Sequence, residues 1–434
     1  MSKRAEAASF PRYRQRCGWN ALLPARRVNA ALEDDLHCDV VIVGAGYTGL
    51  AAARRFGELE PEARIAVLDA SEIGEGSPGR NSGFMLEIAL ADDADPQQLE
   101  RMTACNGLIA DAMTSLKRLV ESHQIPCELS RTGTYRAAAG AAGVAALRNY
   151  RAFLDAALLP YETLDRQQLN DRLGTHFYQE GLYSPHCYLV QPAALIRGLA
   201  DSLPPRVALY ENSPVVAIEH DRGTWTARTP KASVHAPLLV LANNAFCKKL
   251  GVAGSRLVAM YTCAAMTEPL SSKSLDSLGS DPEWGLLPAH RLGSTLRRTA
   301  DGRLLIRSLY GYEAELDKSA ASTTLKAALE RRYPRLKDVR FASVWSGATG
   351  FTLNGSPVWG EHAPGLFVAA GCNGGGVVKG TLFGRLLAEA ALGFGAPDIA
   401  ALFGRAAWMP PEPLRRLGFN VISRIERYKG RAEV

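Results

Sequence analysis

The sequence predicts an α/β fold in which a parallel-sheet dinucleotide-binding domain is joined to a second domain of antiparallel strands and helices. Three observations predict it. A β-branched run, Val40-Val41-Ile42-Val43, enters Gly44-x-Gly46-x-x-Gly49; a second apolar strand ends at Asp69; and a late buried strand, residues 365–371, leads into more glycines and a helix. Between residues 258 and 345 short strands alternate with one helix and leave little room for parallel crossovers, which marks the antiparallel part.

Residues 1–36 carry prolines, Trp19 and several arginines without periodicity, and read as an arm over the first strand. The strand then turns through Gly44-Ala45-Gly46-Tyr47-Thr48-Gly49 into a helix-like run from Leu50. The first glycine permits the turn, the second lets a phosphate approach the backbone, and the third lets helix and sheet pack closely. A helix N-terminus placed there attracts a pyrophosphate. The next strand, Arg64 to Leu68, ends at Asp69 followed by Ala70, about twenty residues beyond Gly49, where a carboxylate would accept hydrogen bonds from ribose hydroxyls and repel a 2′-phosphate. FAD or NAD is therefore expected in preference to NADP.

Residues 71–83 are too rich in glycine and serine for a regular element. Helical spacing of apolar residues follows over 96–123 and over 138–157, and again over 191–203, where Gln191-Pro192 starts the helix. Strands at 207–210, 215–219 and 224–228 suggest a β-meander that returns to the parallel sheet at 238–244. Strands at 257–265 and 303–309 and a helix at 323–333 then belong to the antiparallel part. The expected division is an arm, 1–36; a discontinuous nucleotide domain, 37–95, 190–255 and 345–405; a substrate domain, 96–189 and 256–344; and a C-terminal helix, 406–434. The basic, amphipathic stretch from Glu412 to Tyr428 reads as a packed closing helix, with a membrane-surface helix as the alternative.

Composition narrows the function classes. The chain has 434 residues, 47% apolar and 22% charged, which suits two globular domains and excludes global disorder. No apolar run approaches the ~18–20 residues that span a bilayer, and the N-terminal residues contain no apolar signal core, so a cytoplasmic protein without a transmembrane segment is expected. The net charge of +6 has no long basic block behind it, which speaks for solubility rather than nucleic-acid binding. Eight cysteines, without a CxxC pair, suggest reduced thiols and no metal site.

Two further segments decide between FAD and NAD. Gly79-Arg80-Asn81-Ser82-Gly83 and Gly371-Cys372-Asn373-Gly374-Gly375-Gly376-Val377, together with Trp345-Ser346-Gly347 and the run from Thr352 to Gly360, resemble the glycine and D-amino-acid oxidase (DAO) family of flavoproteins. Within it, the gamma-glutamylputrescine oxidase-like branch is the nearest. The resemblance covers nearly the whole chain and implies a Rossmann-like FAD-binding domain of the GR2 type. In the family's G-R-N-G-G loop, which passes along the flavin ring, Ser82 replaces a glycine; in its C-terminal G-[YF]-S-G-H-G-[VF] segment, Asn373 stands for serine and Gly375 for histidine. The backbone role survives, since glycine amides before a helix stabilise negative charge on a reduced flavin.

The resemblance also implies that Val215 or Val216 meets the adenine through its peptide group, and that the Asn243-Asn244-Ala245 turn lies close to the cofactor. Some relatives attach flavin through a histidine near the Arg80 loop or a late cysteine. No histidine occurs between Glu58 and Arg101, and the position of Cys372 is not the attachment cysteine, so noncovalent FAD is expected. Arg298, Arg307, Tyr310 and Trp345 are the substrate-pocket candidates, an arginine pairing with an anionic group on a small-molecule amine. No catalytic triad is expected. The implied chemistry is oxidation of a C–N bond of an amine or amino acid to an imine by hydride transfer to flavin N5, hydrolysis to an aldehyde or keto product, and reoxidation by O2 with release of H2O2. An amine dehydrogenase using another acceptor and a non-catalytic flavoprotein are the alternatives; a flavin monooxygenase is disfavoured because the Gly-Asp motif of those enzymes is absent before the late helix.

Overall fold

A computed structural model describes residues 9–88 and 98–433. Residues 1–8 of the expected arm, the expected helix start at Pro96, the domain boundary at 95/96 and Val434 lie outside the described residues.

The β-branched run becomes the centre of a six-stranded sheet ordered Val358–Ala363, Leu366–Ala370, Leu238–Leu241, Val40–Val43, Ile65–Leu68 and Val207–Tyr210. Every neighbour pair is parallel except the first. Val40–Val43, Ile65–Leu68 and Leu366–Ala370 are buried along their whole length, because both faces are covered. Helices Tyr47–Leu59, Leu99–Ser122, Pro192–Asp201 and Val378–Ala391 pack on one face around Phe56, Leu116, Leu195 and Leu387. On the other lies a small sheet of Leu36–His37, Ser233–Ala236, Thr224–Arg228 and Ala217–Asp221, with Trp225 and Val234 in the seam. The meander is thus shorter than expected: Val207–Tyr210 has joined the parallel sheet as an edge strand.

The second sheet has eight strands, ordered Phe341–Phe351, Val258–Thr267, Leu304–Tyr312, Thr295–Arg298, Trp284–Pro288, Thr134–Ala138, Glu180–Ser184 and Glu162–Asp165. All pairs are antiparallel except Trp284–Pro288 with Thr134–Ala138. Strand alternation sends Leu286, Leu296, Leu304 and Ile306 to a core beneath helix Lys318–Arg332, whose first turn Asp317 caps. The opposite face is left for the parallel-sheet side of the molecule. A two-stranded pair, Phe84–Leu86 with Cys187–Leu189, bridges the two halves.

Two segments cross the expected divisions. Phe341–Phe351 is one edge of the large sheet, so that sheet runs past residue 345; helix Leu99–Ser122 buries Ile109, Met113 and Val120 in the core of the parallel sheet. The C-terminal helix differs more. Leu414–Lys429 has no buried residue, and its apolar positions other than Phe419 are exposed; the expectation of a packed closing helix is overturned. What packs is the tail beyond it, where the buried Glu433 accepts hydrogen bonds from the amides of Ala139 and Gly140. Among the described residues, no helix is long and apolar enough to cross a membrane.

Candidate active site

A cavity of about 640 Å³ lies between the two large sheets. At one end Gly44, Gly46, Tyr47 and Thr48 line it. Gly44 has a φ of +100°, which suits glycine, and a Cβ on Gly49 would overlap the Gly44 carbonyl oxygen, so the third glycine closes the turn. The helix that follows begins at Gly46 with no side-chain cap, leaving its first amides open toward the cavity. Asp69 sits beside them. Its carboxylate accepts hydrogen bonds from the amide of Ala45 at 2.8 Å and of Ser71 at 2.9 Å. Burial raises its pKa above the ordinary value, and those hydrogen bonds offset only part of the rise.

Ala70 and Val215 line the same end, joined by Ser9, Phe10 and Pro11 of the arm. The Ser9 hydroxyl donates to the Val215 carbonyl. Val216 is half-exposed and does not reach the cavity; its amide donates to Arg228 at 2.8 Å instead. Asn243 lines the wall and gives its Nδ2 to the Ser9 carbonyl at 3.2 Å, while its buried Oδ1 has no partner.

The loop at 79–83 is held from behind. Arg80, Asn81 and Ser82 line the cavity, but the Arg80 guanidinium turns away, stacking 3.8 Å from the Tyr13 ring centre and donating to Glu75, Gln15 and Ser346. Trp345 Nε1 donates to the Arg80 carbonyl at 3.1 Å, and Trp19 Nε1 to that of Asn81 at 2.8 Å. A Cβ on Gly79 would overlap the Gly74 carbonyl, and Gly83 has a φ of +81°. Neither glycine reaches the cavity surface; both permit the path of the loop.

The C-terminal turn forms the facing wall. Cys372, Asn373, Gly374, Gly375, Gly376 and Val377 line the cavity, and helix Val378–Ala391 opens onto it without a side-chain cap. Gly371 lies just behind, donating to Asn244 Oδ1 at 2.9 Å. Cys372 Sγ accepts from Asn244 Nδ2 at 3.2 Å. Asn373 ties the turn to its neighbours through Thr352, Gly355 and its own Gly371.

One face of the large sheet supplies the rest. The cross-strand pairs Thr262 with Gly347 and Met260 with Thr349 line the cavity, as do Arg307 with Thr295 and Arg136 with Leu287. Arg307 donates to the Thr295 hydroxyl at 3.3 Å, and Tyr310 donates to the Arg291 carbonyl at 2.9 Å. Arg291 also lines the space. Among the described lining residues, Asp69 is the one carboxylate, and the sheet end is cationic, although Arg291 has Glu426, from outside the lining, at 3.8 Å.

Of the four substrate-pocket candidates, Arg307 and Tyr310 reach the cavity and two do not. Trp345 is buried behind the Arg80 loop, where it positions backbone. Arg298 lies on the other face of its strand, three residues from Thr295, and donates to the carbonyls of Gly279 and Asp281. Its neighbour Arg297 takes the cavity side: it is fully buried, stacks 4.9 Å from the Trp19 ring centre and donates to the carbonyls of Ser82 and Val190. Arg136 and Arg291 carried no local motif. Their only signal was their charge within strand or loop segments that the fold brings together.

These features fit FAD. Two uncapped helix N-termini open on one cavity, an orphaned Asn243 oxygen awaits a donor, and a carboxylate lies beside the glycine turn. Among the described residues no group of three or more histidine, cysteine or acidic side chains could hold a metal.

Comparison with known proteins agrees with that geometry. The family model described as "FAD dependent oxidoreductase" (DAO) matches residues 39–390. The chain is 28% identical over 370 residues to the gamma-glutamylputrescine oxidoreductase of Escherichia coli, covering 82% of this chain and 84% of that protein. It is 26% identical over 379 residues to the probable oxidoreductase OrdL of Haemophilus influenzae, covering 82% and 83%. Among solved structures, glycine oxidase from Geobacillus kaustophilus superposes with a TM-score of 0.74 at 20% identity over 86% of this chain and all of that one, which shows the shared fold.

Proposed function

Because the chain belongs to the DAO family of FAD-dependent oxidoreductases, which act on amines or amino acids, we propose that it oxidises the C–N bond of an anionic amine or amino acid within this cavity. The observation that carries the reading is the pairing of a dinucleotide cradle at one end with Arg136 and Arg307 at the other, where no described lining carboxylate stands beside them.

The first amides of helix Tyr47–Leu59 would face the pyrophosphate, and Asp69 would accept from the ribose hydroxyls. The amides of residues 374–377, with the N-terminus of helix Val378–Ala391, would hold negative charge on the pyrimidine side of the ring. When bound, FAD supplies the acceptor, at flavin N5, for the hydride that leaves the substrate carbon, and O2 regenerates it with release of H2O2. Arg307, oriented by Thr295, pairs with the substrate anion and fixes where its amine-bearing carbon lies. The cationic wall also lowers the proton affinity of the amine, favouring the neutral nitrogen that C–H cleavage requires. Met260, Leu287 and Tyr310 keep the reacting carbon away from bulk water. The imine then hydrolyses to an aldehyde or keto product.

FAD is held noncovalently in this reading, since residues 59–100 contain no histidine and the Cys372 sulfur is engaged by Asn244. Seven buried cysteines and the half-buried Cys372, none of them in a disulfide, support a reducing, cytoplasmic setting. The test is anaerobic addition of anionic amines, including γ-glutamylated and dicarboxylic ones, to the holoenzyme while flavin absorbance is followed, and then admission of air. Bleaching by anionic but not neutral amines, with stoichiometric peroxide on reoxidation, is expected. Bleaching by neutral amines alone would overturn the anionic assignment, and reoxidation by a carrier but not by O2 would overturn the oxidase step.

A further inference from the structure

The helix Leu414–Lys429 is fixed to the protein by one edge only. Phe419 packs on Tyr312 with ring centres 5.2 Å apart and reaches the large cavity. Arg415 donates to the carbonyls of Pro410 and Gly254 at 2.8 and 3.1 Å, and Glu426 lies 3.3 Å from His290. These contacts orient the helix and leave its other sides to solvent.

What it presents there is an apolar stripe. Leu414, Leu417, Val421, Ile425 and Tyr428 recur at three- and four-residue steps, which puts them on one face, and they are 48–71% exposed. Ile422, at 56%, widens the stripe, and Trp408, just before the helix, is 61% exposed. A soluble monomer rarely leaves so continuous an apolar strip in water.

The charges beside the stripe have one sign. Arg416, Arg424, Arg427 and Arg431 are exposed, as is Lys429, which pairs with Glu426 at 3.3 Å. The acidic side chains of the segment are occupied: Glu412 by the Tyr312 hydroxyl, Glu426 by His290, and Glu433 by buried amides. A symmetric pairing of two copies along this stripe would set arginines against arginines. An anionic bilayer surface instead takes the stripe into its acyl boundary and the cations among its phosphates. Sixteen residues with two polar sides cannot span, so the helix lies in the plane of the surface. Exposed Trp408 and Tyr428 have the amphipathic rings that favour the headgroup level.

We propose that the C-terminal helix is a reversible anchor that docks this enzyme on anionic lipid surfaces, with Phe419, on its inner edge, in the wall of the large cavity. The inference is independent of which amine is oxidised. The experiment is flotation of the holoenzyme with phosphatidylglycerol–phosphatidylcholine vesicles and with pure phosphatidylcholine vesicles, in low salt and in about 0.5 M salt, which shortens electrostatic reach to a few ångströms.

Flotation with the anionic vesicles, at least tenfold above that with neutral ones and reversed by salt, is expected. The double variant Leu417→Asp, Val421→Asp should lose it at least tenfold while keeping its flavin spectrum and turnover. Arg424→Gln with Arg427→Gln should weaken it about twenty-fivefold, roughly fivefold per charge removed. Three results would overturn the proposal: no flotation with anionic vesicles, flotation that both double variants retain, or a dimer in sedimentation equilibrium that Leu417→Asp, Val421→Asp dissociates without any vesicle binding.

Discussion

Arg297 donates to the carbonyl of Ser82 at 3.3 Å from a fully buried position, so one cation on the large sheet holds the loop that lines the centre of the cavity. The same guanidinium donates to Val190, lies over Trp19 and has Glu283 at 3.5 Å. A buried arginine of this kind is a fixture of the scaffold and not a free ligand for substrate. Burial lowers its pKa, opposed by Glu283 and Glu128. Replacement by leucine leaves two buried carbonyls without donors, at about 1–3 kcal/mol each. Arg297→Leu should therefore lower the urea midpoint of the holoenzyme and loosen FAD together; unchanged stability would show that the loop holds itself.

Arg307 should behave in the opposite way. It is tied to the sheet by the Thr295 hydroxyl and faces the cavity, so its loss removes a ligand without opening the core. Arg307→Ala should raise KM for an anionic amine about 10- to 100-fold, the value of a charge-assisted hydrogen bond of about 1.5–3 kcal/mol, with FAD affinity within about twofold of wild type. Arg307→Lys should recover part of the loss. Equal losses in KM and FAD affinity would make the residue structural.

The contrast between these two arginines shows where the sequence was informative. Backbone roles were legible: Gly44 stands at a turn of positive φ and Gly49 at a close packing, and residues 80–82 and 372–377 line one cavity. Strand parity was harder to read. Arg297 and Arg298 are adjacent, and only the burial of Leu296 beneath helix Lys318–Arg332 sends one to the cavity side and the other away. Leu304 and Ile306 give the same signal for Arg307, one residue along from a core position. Arg136 and Arg291 depend on pairings between strands far apart in the chain, which no local pattern encodes. The outward apolar face of Leu414–Lys429 was invisible for another reason: amphipathic spacing states that a stripe exists and is silent on what covers it.

His186, at the end of the bridging pair Phe84–Leu86 and Cys187–Leu189, gives a pH signature. Burial lowers the proton affinity of its imidazole, Arg131 lowers it further, and Glu87 at 3.9 Å opposes both. The unfolded chain binds the proton at the ordinary value of 6.5 and the folded chain only at lower pH. Between those values the unfolded state holds more protons, so stability falls as the solution is acidified below about pH 6.5. His186→Gln should remove that component. The comparison is the urea midpoint of both proteins at about pH 7.5 and pH 5; an identical acid slope in the two would exclude His186 as its source.

The approach of two helices supplies the last prediction. Gly384 lies on helix Val378–Ala391 where it meets helix Tyr47–Leu59; a Cβ there would overlap the Thr48 carbonyl oxygen and come within 3.1 Å of Ala51 Cβ. Backbone and a packed methyl cannot yield as a surface side chain can, so Gly384→Ala must push the helices apart. Both helices open onto the cavity at their N-termini, one at the glycine turn and the other after the C-terminal turn. Separating them moves two sets of amides that a single bound dinucleotide would contact at once. We expect FAD affinity to fall at least tenfold, about 1.4 kcal/mol, in fluorescence titration of the apoprotein. Gly107, exposed in the middle of helix Leu99–Ser122 with nothing near its absent Cβ, is the control. There alanine removes backbone entropy from the unfolded chain and should stabilise the protein by about 0.5–1 kcal/mol without touching FAD. If Gly384→Ala bound FAD as tightly as Gly107→Ala, the cradle would not depend on the spacing of these two helices.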